Sequence, residues 1–260
     1  MANNTTIEWT EATWNPVVGC SVVSPGCTNC YAMRLAHRLE AMGQRKYVGT
    51  TRISGGRAKW NGRVRVDEAS LNLPRTWSTG RMIFVNSMSD LFHESAPLDF
   101  VQRVFDTMRE TPHHTYQILT KRGNRLRELS DEIEWPDNVW MGVSVENGDY
   151  VSRIDDLRRS GAVVKFLSLE PLLGPLRGLD LSNIDWVIAG GESGPNARRL
   201  DPAWVRDIRD QCVGSSVAFH FKQWGGRNKK KTGRTLDGRT WNEFPRHRSG
   251  SAEERLMLTA

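Results

Sequence analysis

The sequence predicts an α/β protein built as a partial (βα) TIM-type barrel of about six to seven parallel strands, with a small β-hairpin insertion. Three observations predict it. Short apolar runs rich in β-branched and aromatic residues recur with midpoints roughly 20–35 residues apart, the repeat length of βα units. Amphipathic runs with helical spacing stand between many of them. Each apolar run then ends in polar or charged residues, as strands do where a barrel gathers its chemistry. A doubly wound open sheet is the alternative way to arrange the same units.

In chain order, residues 1–16 hold Trp9 and Trp14 in a segment expected to pack as a cap, and residues 17–20 are expected to be a short first strand. After Cys30, apolar Tyr31, Leu35, Leu39 and Met42 recur at helical intervals, and Gly43 ends the helix. Residues 52–66 are predicted to be a surface hairpin, with Asn61-Gly62 turning between Arg-Ala-Lys-Trp and Arg-Val-Arg-Val. Strands are predicted at 82–86, 115–120, 139–145, 163–169, 186–189 and 217–222. Helices are predicted at 98–109, 124–129, 149–159 and 202–212. Residues 1–245 are read as one barrel domain carrying the 52–66 insertion, and 246–260 as a polar, flexible tail.

Composition excludes some classes. No apolar run approaches the roughly 18 residues of a membrane span. Four cysteines, three of them clustered, do not make a secreted disulfide scaffold and point to a reducing, cytoplasmic setting. The net charge of +6 is unevenly placed. Residues 52–66 carry Arg52, Arg57, Lys59, Arg63 and Arg65 and no acid, while 222–239 carry seven cations, Lys229, Lys230 and Lys231 among them, against Asp237 alone. The rest of the chain is net acidic. Two basic segments on an acidic body form a footprint for a polyanion, with Arg57, Lys59, Arg63, Arg65 and Lys229–Lys231 as candidate nucleic-acid contacts. Trp60, Trp224 and Trp241 lie nearby and could stack on bases.

The densest chemistry is in Cys20-Ser-Val-Val-Ser-Pro-Gly-Cys27-Thr-Asn-Cys30. Three cysteines in one Gly/Pro/Asn loop read as metal ligands. A closed structural zinc site needs a fourth ligand, whereas a cubane iron–sulfur cluster on three thiolates leaves one iron open. Cys212 lies far off in sequence and reads as a small buried hydrophobe. The strand ends supply the rest: Ser87, Ser89, Asp90 and His93; Lys121 and Arg122; Ser144 and Glu146; Glu170; Gly190, Gly191 and Glu192; and Lys222. His93 is the candidate for acid–base work, and Lys121 and Lys222 are candidate catalytic cations. The three glutamates can hold an amine or ribose hydroxyls, or pair with Lys121, Arg122 and Lys222. His220 alternates with Phe219 and Phe221, which can turn it toward the barrel interior.

A three-cysteine loop before parallel βα units resembles the radical SAM superfamily. Trp14-Asn15-Pro16, Gly19-Cys20, Cys27-x-x-Cys30-Tyr31, Asn86-Ser87-Met88-Ser89-Asp90-Leu91-Phe92, Leu119-Thr120-Lys121-Arg122, Gly142-Val143-Ser144-Val145-Glu146, Ser168-Leu169-Glu170-Pro171-Leu172, Gly190-Gly191-Glu192-Ser193-Gly194 and Lys222-Gln223-Trp224-Gly225 together resemble the phage Gp37/Gp68-type three-Cys-motif family, DUF5131. The loop departs from the usual radical SAM pattern in two ways: six residues separate Cys20 from Cys27, and Asn29 stands where an aromatic residue is usual. The resemblance implies a [4Fe-4S] cluster on Cys20, Cys27 and Cys30, with S-adenosyl-L-methionine on the open iron. It places Ser87, Ser89 and Asp90 at the methionyl end, Ser144 and Glu146 at the ribose, and Gly190, Gly191 and Glu192 along the adenosyl side, with Glu170 among the cofactor-binding groups. The implied activity is a 5′-deoxyadenosyl radical acting on a nucleic-acid base, DNA ahead of RNA, in photolesion repair of the spore-photoproduct-lyase type or in base modification. An electron donor such as flavodoxin or ferredoxin would serve it, and the chain is expected to act as a monomer away from membranes. The alternatives are a non-catalytic zinc or iron–sulfur nucleic-acid-binding protein, and a radical SAM enzyme on a small molecule or peptide.

Overall fold

In the computed structural model, which describes residue 5 and residues 7–245, seven strands form one parallel sheet. They are β1 (Ala12–Trp14), β2 (Met82–Val85), β3 (Thr115–Thr120), β4 (Val139–Ser144), β5 (Val164–Leu169), β6 (Trp186–Gly190) and β7 (Ala218–Gln223). Their order in the sheet is their order in the chain, and every neighbouring pair is parallel. A doubly wound sheet reverses its order at a switch point, so sequential order excludes that alternative. The principal helices are α1 (Tyr31–Ala41), α2 (Leu98–Arg109), α3 (Gly123–Leu129), α4 (Ser152–Arg158) and α5 (Pro202–Gly214).

The strands are buried on both faces, which is why they read as near-continuous apolar runs. One face, with Ile83, Ile118, Met141, Leu167 and Val187, packs against Phe100, Val104, Leu126, Leu157 and Ile208 of the helices. The other face, with Phe84, Trp140, Phe166, Trp186 and Ile188, has a cluster of its own without any helical residue. Trp9, just before β1, fills that inner face. Its ring centroid lies 4.8 Å from Phe84 on β2 and 6.2 Å from Trp186 on β6. One side chain spanning from the second strand to the sixth is the mark of a sheet curled into a half-barrel. Each such burial contributes about 1.5–3 kcal/mol, so the curl rests on packing of the inner face.

Helix 98–109 and strand 115–120 fall where the periodicity puts them. Three expectations are corrected. The first strand is Ala12–Trp14, not 17–20; Val17–Val18 instead pairs antiparallel with Arg65–Val66. The short Ala-Thr-Trp run with its polar centre hid a strand whose Ala12 and Trp14 are wholly buried. The hairpin is Thr51–Ser54 with Arg57–Trp60, turning at Gly55-Gly56 rather than at Asn61-Gly62. Both glycines have positive φ, as the tight two-residue turn of a twisted hairpin requires. Nor is the hairpin a free surface insertion: Trp60 is buried against Ala32, Met33 and Ala36 of α1, so it is not open to stack on a base. The tail expected at 246–260 lies outside the described residues.

Candidate active site at the cysteine loop

The loop from Cys20 to Cys30 enters from Gly19 and leaves directly into α1, with Cys30 at the position before the first helical residue. Gly19 is required by its surroundings, since its φ is +86° and a Cβ there would stand 2.2 Å from the Arg63 carbonyl oxygen. Residues 15–19 are stitched to the end of β2. Asn15 Oδ1 accepts from the Ser87 hydroxyl at 3.1 Å and from the Met88 amide at 3.0 Å, and the Ser89 hydroxyl donates to the Val17 carbonyl at 2.6 Å. Asn86, held at φ 61°, accepts from the Val17 amide.

Three carboxylates from three different strand ends then grip the loop, each with its own cation. Asp90, after β2, accepts from Arg122 at 2.9 Å and from the Thr120 hydroxyl at 2.7 Å. The same buried Arg122 donates to Ser21 Oγ at 2.7 Å and reaches Cys20 Sγ at 3.8 Å, and Glu94 accepts from its Nε at 2.9 Å. Glu146, after β4, is wholly buried. It accepts from Ser24 Oγ at 2.5 Å and pairs with Lys121 at 2.8 Å and Arg153 at 2.9 Å. Gly26 packs on that carboxylate so closely that a Cβ would stand 2.3 Å from Oε1. Glu192, after β6, accepts from Arg198 at 2.6 Å and from Asn29 Nδ2 at 3.0 Å, while Arg198 also donates to the Pro25 carbonyl at 2.9 Å. The loop is held beside Cys20, before Cys27 and beside Cys30, one clamp for each cysteine.

Electrostatics agree with this division. Burial pushes the Glu146 carboxyl up, but Lys121, Ser24 and Arg153 outweigh it and hold it below the usual carboxylate range. The same balance, with Arg198 and Asn29 as partners, lowers Glu192. Burial pushes the Cys20 thiol up to about 12; Asp90 and the two other cysteines add to the rise, and Arg122 opposes it. Burial raises Cys30 as well, against the backbone amides of Ala32 and Met33 at the start of α1. Three thiols in one loop, with those of Cys20 and Cys30 held neutral by their surroundings, are a donor set that a bound cation would satisfy. Among the described residues, no three His, Cys, Asp or Glu side chains converge on a site for a metal ion as they stand.

His93 is buried, with Nδ1 accepting from the Ser95 amide at 3.0 Å and Nε2 lying 3.0 Å from Ser21 Oγ. Burial, then Arg122, lowers its pKa, so the neutral ring is favoured beside the loop. Ser144 is buried on β4, and its carbonyl accepts from Arg153 at 2.7 Å. Lys222 pairs with Glu170 at 3.0 Å, its ammonium 5.9 Å from the Trp9 ring centroid. Gly190 presses on that Glu170 carboxylate and Gly191 on the Trp224 carbonyl, so both glycines serve close approach within the chain itself. Cys212 lies in the helix-side core, away from the loop.

Of the basic candidates, Lys59 donates to the Thr28 carbonyl at 3.2 Å and brings the hairpin against the cysteine loop. Arg57 is exposed at the hairpin turn, while Arg63 and Arg65 lie beyond the hairpin. Lys229–Thr232 is a short helix in which Lys229 pairs with Glu8 at 3.2 Å and Lys230 and Lys231 are exposed. Sequence reasoning missed Ser21, Ser24 and Asn29 in the loop, and Arg153 and Arg198 outside it. A signal was available: a cation follows Glu146 by seven residues and Glu192 by six.

A family model described as "Protein of unknown function (DUF5131)" matches residues 4–245. The chain belongs to that family. The match takes in the cysteine loop, all seven strands and all three clamps. No curated protein and no solved structure gave a match. Among the described residues, no helix is long and apolar enough to cross a membrane.

Proposed function

We propose that this chain is a radical SAM enzyme that acts on a base of nucleic acid, with DNA ahead of RNA. One observation carries the reading: a loop with three cysteines is clamped across the ends of parallel strands by three carboxylate–cation pairs, and the fourth cysteine is elsewhere. That is the provision expected for a cluster with an open iron rather than for a closed four-ligand site. Cys20, Cys27 and Cys30 would hold a [4Fe-4S] cluster, their three thiols in one loop supplying its donor set. When bound, the cluster and S-adenosyl-L-methionine supply one-electron cleavage of a C–S bond and a carbon radical that takes hydrogen from substrate.

The chain's own groups position and exclude. Asp90–Arg122, Glu146–Lys121–Arg153 and Glu192–Arg198 fix the loop against rotation. Lys222 and Glu170, over Trp9, are polar groups for a ligand's own polar atoms. The aromatic inner face beneath them keeps water from the floor of the half-barrel. The basic hairpin at Lys59 and the exposed Lys230 and Lys231 favour a polyanionic substrate over a free metabolite. Duplex DNA would have its target base turned out of the stack to reach the loop. A small acidic flavodoxin or ferredoxin would deliver the electron.

The test is reductive cleavage under anaerobic conditions. Protein reconstituted with iron and sulfide, given dithionite and S-adenosyl-L-methionine, is expected to release 5′-deoxyadenosine, and more of it with an oligonucleotide present. No release from cluster-loaded protein would overturn the radical reading. Release that no DNA or RNA alters would overturn the substrate class.

A further inference from the structure

A cavity of about 300 Å³ lies between the cysteine loop and the first turns of α3 and α4. Four of its lining groups are cations, Lys121, Arg122, Arg125 and Arg153, against the acids Glu94 and Asp156. Three of the cations are committed inward, to Glu146 and Asp90. Arg125 is not. Its one ion-pair partner among the described residues is Glu128, 3.4 Å away on the same helix, and its Nε is buried with no hydrogen-bond partner. Arg125 is partly exposed and lines this cavity, so of the four cations it is the one not committed to a buried carboxylate. Tyr150, whose ring lies 4.2 Å from the Arg153 guanidinium, and Ser152 line the same space.

We propose that this cavity is a phosphate subsite and that its ligand is a backbone phosphodiester of the nucleic-acid strand. Guanidinium forks present paired N–H groups that match phosphate oxygens, and three of the four cations here are arginines. Val23 of the cysteine loop lines the same cavity, so a phosphate held there lies beside the loop. A strand anchored at Arg125 would pass next to the cysteines. The identity of the strand rests on the proposed function; the phosphate chemistry rests on the cavity alone.

The experiment uses the full chain without cluster. Binding of a labelled single-stranded oligonucleotide is measured over a salt series, for wild type, R125A and R125K, with inorganic pyrophosphate as competitor and as a ligand in calorimetry. R125A is expected to lower the slope of log affinity against log salt by about one contact. R125K keeps the charge, and is expected to keep the slope while losing affinity. Pyrophosphate should compete in wild type and not in R125A. An unchanged slope and unchanged competition in R125A would overturn the subsite, as would failure of wild type to bind either probe. Arg125-dependent pyrophosphate binding without oligonucleotide binding would uphold the phosphate site, overturn the phosphodiester ligand and remove the nucleic-acid reading of function.

Discussion

Replacing Glu146 with alanine would leave Lys121 and Arg153 facing each other without their shared anion, in a place where Glu146 itself is wholly buried. Removing one partner of a buried ion pair typically destabilises by about 3–5 kcal/mol, so E146A is expected to lower the urea midpoint strongly. E146Q keeps an acceptor for Ser24 and should fall between the two. His220 offers a second residue-scale outcome. It is buried, its Nε2 faces the Arg234 guanidinium at 3.2 Å, and burial together with Arg234 and Lys222 pushes its pKa down to about 4. Between pH 6.5 and about 4 the unfolded chain binds a proton that the folded chain refuses. This contribution to stability is therefore full above pH 6.5 and is lost as pH falls toward 4, by about 3 kcal/mol in all. Unfolding curves across that range, compared with H220Q, check it: the variant should lose less stability on acidification.

At the scale of elements, the cysteine loop is a part whose shape is set by others. Gly26 sits on Glu146 with no room for a Cβ. G26A is therefore expected to displace the loop while sheet and helices persist: unchanged far-ultraviolet circular dichroism, but several-fold less iron retained after reconstitution and gel filtration. Equal iron retention would show that the fit of Gly26 does not set the loop. The loop's importance was legible from its three cysteines, and the polar strand ends were legible from position. What the sequence could not show is where those polar groups are spent. Ser87 and Ser89 tie down residues 15–17, and Glu146 grips Ser24 across 122 positions of chain. Pairing at such distance leaves no local pattern. The hairpin was misplaced for a different reason: Asn61-Gly62 carries a strong local turn signal, while the pairing that forms turns at Gly55-Gly56 and is held by the packing of Trp60 on α1.

At the scale of the molecule, the half-barrel was largely legible, because parallel strands buried on both faces leave strong apolar runs and their spacing sets the unit. β1 was the exception. Three residues with a polar centre give almost no periodic signal, and their strand character comes from pairing with Ile83–Val85. The charge distribution was equally visible, but not that the hairpin's Lys59 touches the cysteine loop. That contact brings a basic residue of the hairpin against the cysteine loop, in keeping with the polyanionic substrate proposed above. The most direct test is metal content. Anaerobically purified chain is expected to be brown and to carry about four irons, in keeping with a [4Fe-4S] cluster; alanine at Cys20, Cys27 and Cys30 should abolish the iron, and alanine at Cys212 should not. A colourless protein holding a single zinc ion, or iron that survives loss of the three loop cysteines, would contradict the open-cluster reading.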